Sequence, residues 1–263
     1  MQKAADIILL QNDLKVLHDG VLEGRKTFGN TMKYIMMGVS SNFGNMFSVA
    51  GASLFLPFLP MQPIQILLNN LLYDFSQSTI PTDGVDKEYI EKPKRWDIQF
   101  IKRFMICLGP VSSLFDFLTF FIMLFIFNAS EPLFQTAWFI ESLTSQTLVI
   151  FAIRTVRSPF WKSKPSRLLL LSSIAIIAFT LIIPYTPLGE IFRFVKPPVT
   201  FYMVLAAILG ACLALVEIVK RWFYRRYGYR LEQTLIPPTT IGIYHVKTMK
   251  LIQNIIAFIC LRP

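Results

Sequence analysis

Three long stretches of this chain carry no charged side chain. No Asp, Glu, Lys or Arg occurs between Lys33 and Asp74, between Arg167 and Glu190, or between Lys196 and Glu217. A helix needs about 20 apolar residues to cross a bilayer, so each run is long enough for a membrane span, and the first is long enough for two. Charged residues make up 16% of the chain and mean hydropathy is +0.51, against about a quarter charged in soluble domains. A soluble enzyme, a secreted disulfide scaffold and a disordered tail are thereby excluded. Six spans consume about half of 263 residues at ~20 residues each, which leaves no room for a large water-soluble catalytic domain.

The formal charge of +10 raises the question of nucleic acid, and the placement of the basic residues answers it. Lys3, Lys15, Arg25, Lys26 and Lys33 precede the first span. Lys87, Lys92, Lys94, Arg95, Lys102 and Arg103 lie in or beside one loop, and Arg154, Arg157, Lys162, Lys164 and Arg167 in another. Lys220, Arg221, Arg225, Arg226 and Arg230 follow the last span. The loops between carry none around Pro57–Pro63, none over Asn128–Phe134, and only Arg193 and Lys196 in the third. Basic and non-basic loops alternate, as the positive-inside rule requires of a multi-pass cell-membrane protein with both termini cytoplasmic. No RNP, zinc-finger or helix-turn-helix pattern supports a nucleic-acid partner; the partner expected is membrane lipid. Cys107, Cys212 and Cys260 are odd in number and far apart, which points to neither a disulfide framework nor a zinc site. His18 and His245 lack nearby partners, and MQKAADIILLQND does not read as a cleavable signal peptide.

The expected fold is all-α and polytopic, with six transmembrane helices. A cytoplasmic lead-in over 1–33 precedes a six-helix membrane domain over 34–221, and a basic anchor with a C-terminal tail fills 222–263. The spans fall near 34–56, 64–80, 104–127, 134–153, 168–185 and 201–219. Three prolines in LPFLPMQP force the first reversal, because a helix cannot continue through them. KRWFYRRYGYR closes the sixth span as a basic, aromatic interfacial anchor. Residues 231–263 read as a poorly ordered or interfacial tail.

Polar groups at membrane depth are costly and are the first place to look for function. Asn42 and Asn45 are three apart and Asn70 and Asp74 four apart, so each pair shares a helix face. Glu141 lies in the fourth span with Ser145 one turn on. For the asparagines, interhelical hydrogen bonding competes evenly with ligation. Asp74 and Glu141 tip the balance, because a carboxylate in the apolar layer needs a cation, a proton or a basic partner, and no Lys or Arg lies inside a span. An oxygen-only set suits Mg²⁺ or Ca²⁺. The candidate metal ligands are Asn42, Asn45, Asn70, Asp74 and Glu141. Asp116 is expected to be structural, satisfied locally by Ser112, Ser113 and Thr119, and Glu217 to be a solvated interfacial charge.

Several phrases go beyond composition. AADIILL, VLEGRKTFGNTMKYI and SSNFGNMFS resemble the passage from the phosphorylation domain into the fifth membrane helix of P-type ATPases. NNLLYDFSQ with IPTDGVD resembles their sixth helix. KPKRWD, FMICLGPVSSLFD, WFIESLTSQTL, IRT and FYRRYG are similar to the magnesium-transporting class. The resemblance covers residues 3 to 229 and implies that the six spans are the family's helices five to ten. It puts Asn42 and Asn45 at fifth-helix ligand positions, Asn70 and Asp74 at sixth-helix ones, and Glu141 at an eighth-helix carboxylate that binds cation in the calcium pumps.

The departures are as informative. Asp-Lys-Thr-Gly, Gly-Asp-Gly-x-Asn-Asp, Thr-Gly-Glu and the first four helices have no counterpart here. The resemblance therefore implies the membrane part of a magnesium-importing pump, truncated and without ATP hydrolysis of its own. Mg²⁺ is then the transported ion, ATP acts only through missing catalytic domains, and a separately encoded catalytic half becomes a partner. Two other readings stay open: a non-enzymatic membrane subunit or regulator of a cation pump, and a passive cation channel or carrier.

Overall fold

The structure is a computed structural model and describes residues 13–91 and 93–227. The AADIILL segment, Lys3, Lys92, His245, Cys260 and the tail expected over 231–263 lie outside the described residues.

The fold is all-helical, as the charge-free runs require. Its elements are α1 (Leu14–Ala52), α2 (Pro63–Gln77), α3 (Lys87–Ile90), α4 (Ile98–Phe121), α5 (Glu131–Ile153), α6 (Arg167–Ile182), α7 (Pro187–Ile191) and α8 (Val199–Tyr227). Four are long and apolar enough to cross a membrane: α4 with its extension to Ile126, α5, α6 with its extension to Tyr185, and α8. The first two expected spans are helices of another kind. α1 starts at an Asp13 cap, whose side chain accepts from Lys15 N, and runs without a break across residue 33. At 39 residues and 1.5 Å per residue it reaches about 58 Å, twice the apolar thickness of a bilayer. α2 has 15 residues, about 22 Å, and stops short of the hydrocarbon thickness.

Sequence chemistry explains the helix ends. Pro63 opens α2 at a position where its missing N–H costs nothing, and Gln62 with Gln65 forms a capping box. Asp97 caps α4 by accepting from Phe100 N at 3.0 Å, and Ser166 caps α6 by accepting from Leu169 N at 3.1 Å. α4 keeps Pro110 in its interior and widens into a π-helical turn over Ile122–Ile126.

α5 is the central helix. It packs against α1, α2, α4, α6 and α8, and every residue from Phe134 to Thr147 is buried. α1 lies on α4, and their backbones meet where two glycines oppose. A Cβ on Gly44 would stand 2.4 Å from Ser112 Oγ and 2.9 Å from Gly109 O, while one on Gly109 would stand 2.7 Å from Phe43. Ser113 Oγ donates to Gly44 O at 2.9 Å across this crossing. Phe120 sits between Phe134 and Trp138, with ring centroids 5.2 and 4.9 Å away. On the side of the proline-rich reversal, Gln65 donates to Phe192 O and Gln135 to Leu59 O, each at 2.8 Å.

Two ion-paired clusters close the opposite side. Asp83, on the loop before α3, takes Lys33 Nζ at 2.9 Å, Arg154 Nη1 at 2.9 and 3.0 Å, and Ser166 N at 3.0 Å. Asn30 donates to Pro81 O and Asp83 O, both at 3.0 Å. Burial lowers the pKa of Lys33 against the opposing pull of Asp83. Asp86 accepts from Thr155 Oγ1 at 2.7 Å and Ser163 Oγ at 3.0 Å. The loop between α2 and α3 is thus fastened to α1, to the end of α5 and to the start of α6.

Glu217 belongs to the second cluster, which corrects the expectation of a solvated interfacial charge. It is 7% exposed and pairs with Lys220 Nζ at 2.8 Å, with Arg221 at 3.7 Å, and with the Ser158 hydroxyl. Lys220 is fully buried and also donates to Ala152 O at 2.8 Å and Arg157 O at 3.1 Å. It satisfies a carbonyl that the end of α5 leaves without a helical partner.

Candidate functional site

The five candidate ligands are held by three helices. α1 supplies Asn42 and Asn45, α2 supplies Asn70 and Asp74, and α5 supplies Glu141. Amphipathic spacing sorts the α2 residues. Gln65, Asn69, Tyr73, Ser76 and Gln77 face inward, which leaves Asn70 and Asp74, one turn apart, on exposed positions. Asn42 is also exposed, and Asn45 is half-buried. The Asp74 carboxyl has no ion-pair or hydrogen-bond partner among the described residues.

Glu141 differs from the rest. It is fully buried, and neither carboxyl oxygen has a hydrogen-bond partner among the described residues. Its neighbours are the Asp116 carboxyl and Ser145. A buried carboxyl beside a second carboxyl calls for an explanation, such as a proton, a water or an ion held between them. Thr119 and Thr144, one turn beyond Asp116 and Glu141, also keep hydroxyls without partners.

Asp116 is buried and satisfied, but its donors come from other helices and not from Ser112, Ser113 or Thr119 as expected. Ser48 Oγ of α1 donates to Oδ2 at 2.5 Å, and Trp138 Nε1 of α5 donates to Oδ1 at 2.8 Å. Asp116 therefore ties α1, α4 and α5 together at one point.

The structure brings Asn45 to the Glu141 segment. Asn45 Oδ1 accepts from Gln146 Nε2 at 3.0 Å and from Ser142 Oγ at 3.4 Å. Ser41 donates to Gln146 Oε1 at 2.8 Å, and Tyr73 of α2 sits beside Ser41. A polar strand of contacts thus runs from α2 through α1 into α5. Among the described residues, no hydrogen bond joins Asn42, Asn70 or Asp74 to this strand or to one another. Gln146 and Ser142 were not singled out from sequence. The available signal was two polar side chains spaced four apart at membrane depth, immediately after Glu141.

A carboxylate, three carboxamides and a second carboxyl form an oxygen-donor set, without the sulfur or imidazole that soft metals prefer. Among the described residues no three His, Cys, Asp or Glu side chains cluster as a ready metal cage. Oxygen donors of this kind suit hard cations such as Mg²⁺ or Ca²⁺.

The model of the family described as "Cation transporting ATPase, C-terminus" matches residues 58–222. The chain is 48% identical over 233 residues to "Magnesium-transporting ATPase, P-type 1" of Escherichia coli (strain K12), an alignment covering 87% of this chain and 26% of that protein. It is 47% identical over 233 residues to the Salmonella typhimurium (strain LT2) protein of the same name, with the same coverage. To the "Calcium-transporting ATPase" of Bacillus subtilis (strain 168) it is 24% identical over 208 residues, covering 73% of this chain and 22% of that protein. The chain spans about a quarter of the length of the magnesium-transporting relatives. With its apolar helices and the family match over most of the helical bundle, this chain belongs to the cation transporting ATPase C-terminus family, the membrane domain of P-type ATPases.

Proposed function

We propose that this chain forms the ion path of a magnesium-transporting P-type ATPase, with Mg²⁺ as the carried ion. ATP hydrolysis then takes place on a catalytic portion contributed outside these residues. The observation that carries the reading is Asp74, a carboxyl with no basic partner among the described residues, one turn from Asn70 on an uncovered face of α2. Asn42, Asn45 and Glu141 complete the proposed ligand set. Mg²⁺ dehydrates reluctantly and is commonly held by one or two carboxylates plus water, which matches so sparse a set of charges. The basic loops support an orientation with the Asp83 cluster, and both ends of the chain, on the cytoplasmic side of the cell membrane. Residues 1–33 then lead in from the cytoplasm, 34–221 form the membrane domain, and 222–263 begin with a basic anchor.

The test is growth of a magnesium-uptake-deficient strain on limiting Mg²⁺. Rescue should require this chain together with a catalytic portion bearing an intact phosphorylation site. Rescue by this chain alone, abolished by Asp74→Ala, would replace the pump with a passive route.

A further inference from the structure

Gln146 uses its whole carboxamide to tie α5 to α1. Its Oε1 accepts from Ser41 Oγ at 2.8 Å, and its Nε2 donates to Asn45 Oδ1 at 3.0 Å and Ser142 Oγ at 2.6 Å. A carboxamide nitrogen has two hydrogens, and both are spent. The side chain is 6% exposed, so water does not compete for it. Ser142 Oγ adds a second, longer donation to Asn45 Oδ1 at 3.4 Å.

The consequence falls on Asn45. A carbonyl oxygen has two lone pairs, and donors from α5 occupy both. A cation would need those same lone pairs. Ser41 and Asn45 are four apart on α1, one helical turn, and one amide holds both. A shift of α1 along α5 therefore breaks the two contacts together.

We propose that Gln146 is a positioning residue that withholds the Asn45 carbonyl from the cation and releases it when α1 moves against α5. The number of ligands at the site is then set by the register of these two helices. This rests on Asn45 being a ligand, as proposed above, and adds the device that controls it. Ser142 assists from the same side, and Ser41 holds the far end of the same amide.

The experiment is calorimetric titration of MgCl₂ into the full chain in lipid nanodiscs. Gln146→Met should bind Mg²⁺ about fivefold more tightly, ~1 kcal/mol, the net worth of one hydrogen bond. Ser142→Ala should show a smaller rise of about twofold, in keeping with its long contact. Both rises should vanish in an Asn45→Ala background, a dependence that a purely structural role would not produce. Unchanged or weaker binding by folded Gln146→Met, or a rise that survives without Asn45, overturns the proposal. If Gln146→Met does not fold, Ser142→Ala decides by the same criteria. Wild-type protein that binds no Mg²⁺, or an Asp74→Asn variant that binds normally, defeats the site itself and this inference with it. Loss of binding in Asp74→Asn with no effect of Gln146→Met or Ser142→Ala defeats this inference alone.

Discussion

The charged groups packed near the two ends of α1 differ in how they are answered. At the end that carries Asn30 and Lys33, every strong charge in the interior has an answer. The Asp83 carboxylate is 0% exposed and is met by Arg154, 1% exposed, and by Lys33, 12% exposed. Farther along, Asn42, Asn70 and Asp74 face outward, and buried Glu141 has no hydrogen-bond partner. Fully paired buried charges hold helices in place and leave no capacity for a ligand. A buried oxygen without a partner costs the fold its desolvation and keeps its lone pairs free. The difference separates a paired clamp beside one end of α1 from oxygens on α1, α2 and α5 that stay unpaired.

The largest effect expected from breaking that contrast is at the clamp. Arg154→Met leaves Asp83 buried with one cation fewer, and removing one partner of a buried pair costs about 3–5 kcal/mol. The unfolding midpoint of the chain in nanodiscs should fall accordingly. A loss under about 1 kcal/mol, the ceiling for an exposed pair, would mean that the clamp is a surface feature. Next is the helix crossing between the two regions. Gly44→Leu drives a side chain into Ser112 and the Gly109 carbonyl, and overpacking of this kind costs about 1–3 kcal/mol. A neutral result in the same assay would show that α1 and α4 do not meet there.

Ser48→Ala probes the junction between the regions by removing one of the two donors to Asp116. The expected cost is about 1–3 kcal/mol, that of a buried acceptor deprived of a partner. Trp138 fluorescence should shift with it, since the indole donates to the other oxygen of the same carboxyl. The smallest effect is at Glu88. The bond to its own backbone, followed by Arg157, holds its carboxyl below the usual range. Its contribution is present above the unfolded pKa and is lost as pH falls through the lower folded value. Because Arg157 is solvent-screened, Glu88→Gln should leave the midpoint at neutral pH unchanged. A clear drop would extend the clamp to the surface.

Much of this contrast was legible in the chain and some of it was not, for physical reasons. Charge-free runs marked the helices because a charge in hydrocarbon is costly, and LPFLPMQP marked the first reversal. The shared face of Asn70 and Asp74 followed from a spacing of four. Glu217 was misread although its partners were in view: Lys220 and Arg221 follow at three and four residues, the spacing at which helical side chains meet. Asp116 was assigned neighbours on its own helix, whereas its donors stand 68 and 22 residues away. Asp83 and Arg154 are separated by 71 residues. Contacts of that range depend on how helices pack, which periodicity within one helix does not encode. Gln146 has no mark of its own in the sequence, because both its partners on α1 lie about 100 residues away.

The central claim is that Asp74 binds the carried ion, and titration of MgCl₂ into the full chain in nanodiscs tests it most directly. Asp74→Asn should weaken binding by about tenfold or more, ~1.4 kcal/mol, with the unfolding midpoint unchanged. Glu88→Gln, which removes a carboxyl remote from the site, should bind as the parent does. Equal binding by the Asp74→Asn and Glu88→Gln proteins would contradict the account.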